Sequence, residues 1–230
     1  MSSNEDRLQS IYEQVLRDGD FAVDVGAHVG RHAIPMAKCV GEGGRVWAYE
    51  PIPQIYRELL SNVQSAGLQA VIETFEIALS DASAVAAFTV VNEAPGYSGL
   101  RERTYDSDVR KTRIEVRVQR LDDLIPVSAK VSFMKLDCEG AELSVLRGGK
   151  DVLVRCRPIL SIESGDASIV NYPYTSGDLF DFLESYGYDV FNLFGVAHDR
   201  QTFVEANSAQ AYWDYIALPR DGILKVQWIC

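Results

Sequence analysis

The chain has 230 residues, 47% of them hydrophobic and 24% charged, which fits one sizeable α/β domain and excludes a disordered chain. Its formal net charge of −11 argues against a general nucleic-acid surface, which carries a basic stripe for phosphates. Cys39, Cys138, Cys156 and Cys230 form no CxxC pair, no apolar run reaches membrane-spanning length, and the opening MSSNEDRLQS lacks the basic start and apolar core of a signal peptide, so a reduced cytoplasm is expected.

Leu8, Ile11, Tyr12, Val15 and Leu16 recur at helical spacing, with Ser3 and Asp6 as a capping box and Gly19 as a stop; they predict a leading helix over residues 6–17. The apolar strand at 21–25 ends in Asp24, Gly26 and Gly30. Gly26 can turn left-handed, Gly30 leaves room for a helix against the strand end, and the amides opening the helix at 30–40 are expected to point into a ligand crevice. A second strand at 45–49 closes on Glu50-Pro51. Glu50 lies roughly twenty residues beyond Gly30, where an acid can accept hydrogen bonds from both ribose hydroxyls of a nucleotide. A helix at 53–66 and a third strand at 69–78 follow. Alternation at 85–91 and 114–119 predicts an antiparallel pair. Between them residues 92–111 are polar and carry Arg101, Arg103, Arg110 and Lys111, as a lid for an anionic group or a solvated loop.

A buried strand at 131–136 ends in Lys135-Leu136-Asp137-Cys138-Glu139-Gly140, before a helix interrupted near Gly148-Gly149. A fifth strand at 158–162 ends in Glu163. Tyr172 and Tyr174, in the next loop, suit an aromatic wall for an acceptor or simple packing. A helix at 178–186 leads to strands at 190–194 and 213–218, separated by a loop carrying His198; that loop is too short for a crossover helix, so the last strand is expected to be antiparallel. The sum is a mostly parallel α/β sheet in one domain, with a leading helix in residues 1–19 and an inserted hairpin and loop in 84–119.

Asp137 and Glu139 end the fourth strand and Glu163 ends its neighbour. Three converging acids can hold a divalent cation through oxygen, or leave one carboxyl raised as a base. His198 falls on the same rim in this reading and suits general-base work near pH 7. Structural roles stand beside these: Asp137 as a helix cap, Glu139 at a positive helix end, Glu142 on a helix surface, His32 in packing, and Lys135 either paired to an acid or exposed.

Asp24, Gly26, Gly30, Glu50 and the acid after the fourth strand together resemble the class I S-adenosylmethionine (SAM)-dependent methyltransferases. The segment RLDDLIP...VSFMKLDCEGAELSVLRGG...RPILSIE, residues 120–163, resembles the FkbM family, with its LDxL and K-D-x-E-G-x-E patterns. The resemblance covers residues 23–163. It implies a Rossmann-like class I fold, a seven-stranded sheet with an antiparallel last strand, and methyl transfer from SAM, mainly to oxygen of small metabolites, sugars or natural products. N- or carboxyl-methylation is the alternative within the same fold. Carried over by position, Asp24, Gly26, Ala27, His28 and Gly30 would line the methionine end of the cofactor, Glu50 with Pro51 the ribose, and Ile77 and Ala78 the adenine. His28 departs from the pattern, standing where many methyltransferases have the middle glycine. A nicotinamide-dependent oxidoreductase would use the same acid, but His28 breaks Gly-x-Gly-x-x-Gly and no Tyr/Lys pair for hydride chemistry is evident. A small-molecule acceptor is the expected partner, without nucleic acid or membrane; metal dependence and homo-oligomerisation stay open.

Overall fold

A computed structural model describes residues 3–105, 107–221 and 228. Helix α1 (Asn4–Val15) opens with the expected box, Ser3 Oγ accepting from the Asp6 amide at 3.1 Å and Asp6 Oδ2 from the Ser3 amide at 3.2 Å. Its stripe of Leu8, Ile11 and Tyr12 is at most 1% exposed, and each such side chain contributes about 1.5–3 kcal/mol by leaving water. There follow β1 (Phe21–Val25), α2 (Ala33–Val40), β2 (Arg45–Tyr49), α3 (Pro53–Ser65) and β3 (Ile72–Phe75). Next come β4 (Ala78–Leu79), β5 (Ala84–Val91), a 3-10 turn at Pro95–Tyr97, β6 (Lys111–Gln119) and α4 (Leu121–Leu124). The second half runs β7 (Val131–Leu136), α5 (Glu142–Gly148), α6 (Lys150–Cys156), β8 (Ile159–Glu163), α7 (Asp166–Ile169), α8 (Ser176–Ser185), β9 (Tyr188–Asn192), β10 (Ala197–His198), α9 (Arg200–Ser208) and β11 (Asp214–Pro219).

The main sheet has the order β10-β9-β11-β8-β7-β1-β2-β3, and β3, β2, β1, β7 and β8 are mutually parallel. Strand β11 is antiparallel to both β8 and β9. This is a Rossmann-like class I methyltransferase fold, the expected seven strands being joined by the two-residue β10 at one edge. The chain steps outward from β1 to β3 and then returns to β7 on the other side of β1, so a crevice opens at the carboxyl ends of β1 and β7, where open α/β sheets bind ligands. Alternate residues of β1 serve two cores. Ala22 packs on the side of α1, α2 and α3, while Val23 and Val25 pack with α5, α6 and α8.

Two expectations are corrected. The third strand does not run to Ala78: it leaves the main sheet after Phe75, and Ala78 and Leu79 pair instead with Val118 and Gln119 of β6, making a three-stranded sheet β4-β6-β5. The segment before β11 is not a simple loop either. It contains β10 and α9, whose N-cap Asp199 accepts from the Thr202 amide at 2.8 Å. The last strand is antiparallel as expected, but not for want of a helix before it.

The inserted hairpin stands on the crevice rather than in solvent. Phe88, Val116 and Val118 pack with Ile52, Ile55 and Ala78, and Thr89 exchanges both backbone hydrogen bonds with Gly99 at 2.9 and 3.1 Å. The Thr104 amide donates to the Ala167 carbonyl at 2.8 Å. Residues 92–105 are therefore tied down at both ends of the crevice.

Candidate active site

Strand β1 ends where its backbone nearly touches that of β7. Gly26 has φ +78°, and a Cβ built there would lie 1.8 Å from the Asp137 carbonyl oxygen, so only glycine fits. The Gly26 and Ala27 amides donate to the Tyr49 carbonyl at 3.0 and 2.9 Å, and the His28 amide donates to Glu50 Oε2 at 3.0 Å. These amides knit the loop to the end of β2, and α2 begins at Ala33, not at Gly30. Glu50 Oε1 accepts from the Ile52 amide at 2.8 Å. Two backbone donors thus aim a carboxylate that burial pushes up to about 7. His28, at φ +49°, occupies the left-handed region usually left to glycine.

The cleft above this loop holds about 390 Å³, within the range of small-molecule sites. Gly26, Ala27, His28, Glu50, Pro51, Ile77 and Ala78 all line it, as do Asp137 and Glu139. Asp24 and Gly30 do not. Asp24 is 1% exposed beneath the wall, in register with Lys135 of β7, and neither carboxylate oxygen has a hydrogen-bond partner among the described residues. Burial pushes its carboxyl up, with Lys135 and His32 opposing. Gly30, at φ +90°, serves packing, since a Cβ there would meet the Leu59 side chain of α3 at 3.0 Å.

On the other wall, Asp137, Glu139 and Glu163 bring carboxylate oxygens within 4.8 Å of one another. Lys135 Nζ lies 2.6 Å from Asp137 Oδ2, so the lysine is a buried partner and not an exposed one. Burial alone would raise Asp137, but Lys135 and a hydrogen bond with Glu163 hold its carboxyl well below the usual range. Glu163 is pushed the other way, by burial and then by Asp137. Glu139, at φ +54°, is gripped by Arg103 of the insert, Oε2 to Nη1 at 2.6 Å; burial pushes it up to about 8 against the pull of that guanidinium. Glu142 is buried, not on a helix surface, and its Oε1 accepts from the Cys138 and Gly140 amides at 2.9 and 3.2 Å. It shapes the loop that carries the acids.

His198 is not on this rim. It lies on edge strand β10, with β9 and β11 between it and β8, ringed by Phe203, Tyr212 and Tyr215 at 5.6–6.5 Å between ring centroids. The expectation placed it on the rim with the acids, but the short β10 carries it to the outer edge of the sheet. Tyr174 also leaves the acceptor wall: it is 7% exposed and donates to the Gly140 carbonyl at 2.6 Å, with Tyr172 stacked on it.

Several cleft residues have no local sequence signal. Glu5 of α1 reaches over to pair with His32 Nε2, while His32 Nδ1 faces Tyr12 Oη at 3.3 Å. Phe88, Pro95, Ser98 and Leu100 of the insert close the cleft from above. Three of the four basic residues expected to meet an anion are paired within the chain: Arg103 holds Glu139, Arg110 pairs with Glu93, and Lys111 with Glu102 at 2.6 Å, while Arg101 lies 5.5 Å from the Tyr172 ring centroid.

The buried acids also set a pH dependence. Burial raises Glu50 and Glu142 to about 7 and Asp214 to about 6. Between about pH 5 and 7 the folded chain therefore binds more protons than the unfolded one, and its stability falls as pH rises through that window. The thermal midpoint is expected to be higher at about pH 6 than at about pH 8; scanning calorimetry at the two values checks the sign.

Residues 24–190 match the Methyltransferase FkbM domain model. The chain belongs to the FkbM methyltransferase family. It is 25% identical over 177 residues to the methyltransferase sdnD of Sordaria araneosa, covering 61% of this chain and 68% of that protein. The crystal structure of the FkbM methyltransferase of Methylobacillus flagellatus superposes with a TM-score of 0.52 at 19% identity; the match covers 90% of this chain but only 48% of that one. The O-methyltransferase TomG of Streptomyces achromogenes, in complex with SAM, superposes with a TM-score of 0.53 at 11% identity, over 95% of this chain and 81% of that one. The FkbM domain begins at Asp24, so α1, with Glu5 at the cleft, lies outside the family match. Membership replaces the nicotinamide reading. No helix among the described residues is long and apolar enough to cross a membrane.

Proposed function

We propose that this methyltransferase transfers the methyl group of SAM to a hydroxyl of a small metabolite, sugar or natural product in the cytoplasm. The observation that carries the reading is the convergence, in one cleft, of an amide-oriented carboxylate at the end of β2 and a lysine-paired carboxylate at the end of β7. Glu50 suits the ribose hydroxyls, its amide partners leaving lone pairs for two further donors. Ile52, Ile77, Ala78, Phe88 and Leu100 make an apolar slot for the adenine. The Gly26–His28 loop would hold the amino-acid end. When bound, SAM would supply a methyl carbon already activated by its sulfonium.

The chain's own residues then orient the acceptor and manage its proton. A hydroxyl oxygen that gains a methyl group becomes strongly acidic, so even a carboxylate of low basicity can take its proton. Asp137 is that carboxylate, its charge favoured by Lys135 at 2.6 Å, with Glu163 beside it on the next strand. The insert excludes water from above, which strengthens each of these interactions.

Glu50→Gln is expected to weaken SAM binding by roughly 10–100-fold, the loss of one or two charge-assisted hydrogen bonds. Calorimetric titration of both proteins with SAM checks it. Unchanged affinity would remove Glu50 from the cofactor site, and a wild-type protein that does not bind SAM would remove the reading altogether.

A further inference from the structure

The three acids at the carboxyl edge form an oxygen cluster of the size that could surround a divalent cation. Two of them are already held by nitrogen. Asp137 faces Lys135 from within its own strand, and Glu139 faces Arg103, which arrives from the insert. Arg103 is built into this place. Its side chain is 8% exposed, its guanidinium lies 4.5 Å from the Tyr97 ring centroid and 5.6 Å from that of Trp213, and the next residue is tied to Ala167 through the backbone. Such stacking and bidentate-capable geometry suit arginine better than lysine.

We propose that Arg103 is the resident counter-ion of the Asp137–Glu139–Glu163 cluster, a positioning residue that the insert delivers to the reacting edge in the place a divalent cation would otherwise take. The seating of the insert and the completion of the acid cluster then depend on one segment, since the stretch that lines the cleft with Pro95, Ser98 and Leu100 also carries Arg103 to Glu139. The enzyme accordingly works without a divalent metal. The inference rests on the proposed function only in taking these acids as the reacting edge. The strained backbone of Glu139 fits the role, because a left-handed residue persists where surrounding contacts over-determine it.

The test is a calorimetric titration of the full chain with Mn2+, using wild type, Arg103→Met, which keeps the stem between the rings, Arg103→Lys, and Arg110→Ala as a control from the same segment. Wild type, Arg103→Lys and Arg110→Ala are expected to show no one-to-one site tighter than about 1 mM. Arg103→Met is expected to gain one at least about tenfold tighter. A saturable one-to-one site in wild type would overturn the proposal, as would a folded Arg103→Met that binds no better than wild type. If Arg103→Met does not fold, wild type and Arg103→Lys still decide: a stoichiometric site in either contradicts it, and none in both supports it. SAM titrated into the same proteins reports separately on the methyltransferase reading, so failure of one does not imitate failure of the other.

Discussion

Gly26→Ala is expected to cost more stability than any other single methyl group added at a cleft glycine. The new Cβ would sit 1.8 Å from the Asp137 carbonyl oxygen, a backbone atom that cannot rotate away, and the residue would keep a φ of +78°. The left-handed conformation alone costs an alanine about 1–2 kcal/mol. Relieving the clash means parting β1 from β7, which breaks the strand register at the floor of the cleft. A total above about 4 kcal/mol is expected, in the range that marks a structural conflict. Gly19→Ala isolates the two causes: its φ is +88°, but nothing lies within 4 Å of a Cβ there, so only the conformational cost of about 1–2 kcal/mol should appear. Denaturant unfolding of both variants measures the difference. Equal losses would mean that β1 and β7 are not in the close contact described.

Asp137→Asn is expected to leave SAM affinity within about threefold of wild type while lowering turnover by roughly 10²–10⁴-fold, the usual worth of a positioned base. The amide keeps the shape but cannot take the acceptor's proton, and it leaves the buried Lys135 with Asp24 and Asp214 as its neighbouring acids. The stability cost should be moderate, about 1–3 kcal/mol, since the Asp137 side chain is one-third exposed and partly screened. An acceptor screen with labelled methyl donor supplies the turnover assay. Loss of SAM binding with intact turnover would reverse the roles assigned to the two walls.

The wall formed by Gly26, His28 and Glu50 was legible because its parts are local: a strand end, a turn and an acid one βαβ unit later. The acids Asp137, Glu139 and Glu163 were legible for the same reason, as ends of neighbouring parallel strands. What escaped depends on contacts between distant segments. Glu5 comes from a helix that precedes β1, and no spacing tells that its apolar stripe turns Glu5 toward His32. Arg103 reads as one base among four in a polar stretch, and only the Thr89–Gly99 pairing shows how the segment folds back onto Glu139. Asp24 resembles a ligand residue, yet a β1 side chain one place before the end points into the layer below. For His198 a signal was present: Asp199 and Thr202 with Phe203, Ala206 and Asn207 mark a capped helix directly after it.

In the proposed complex the adenosyl group lies between Glu50 and the Ile77–Ala78 edge, beneath Phe88, with its amino-acid end toward Gly26 and Asp137. A crystal structure with S-adenosylhomocysteine tests this directly. The predicted result has both ribose hydroxyls on the Glu50 carboxylate and the ligand sulfur on the Asp137 side of the cleft. Density for the ligand outside this cleft, or a ribose that makes no contact with Glu50, would contradict it.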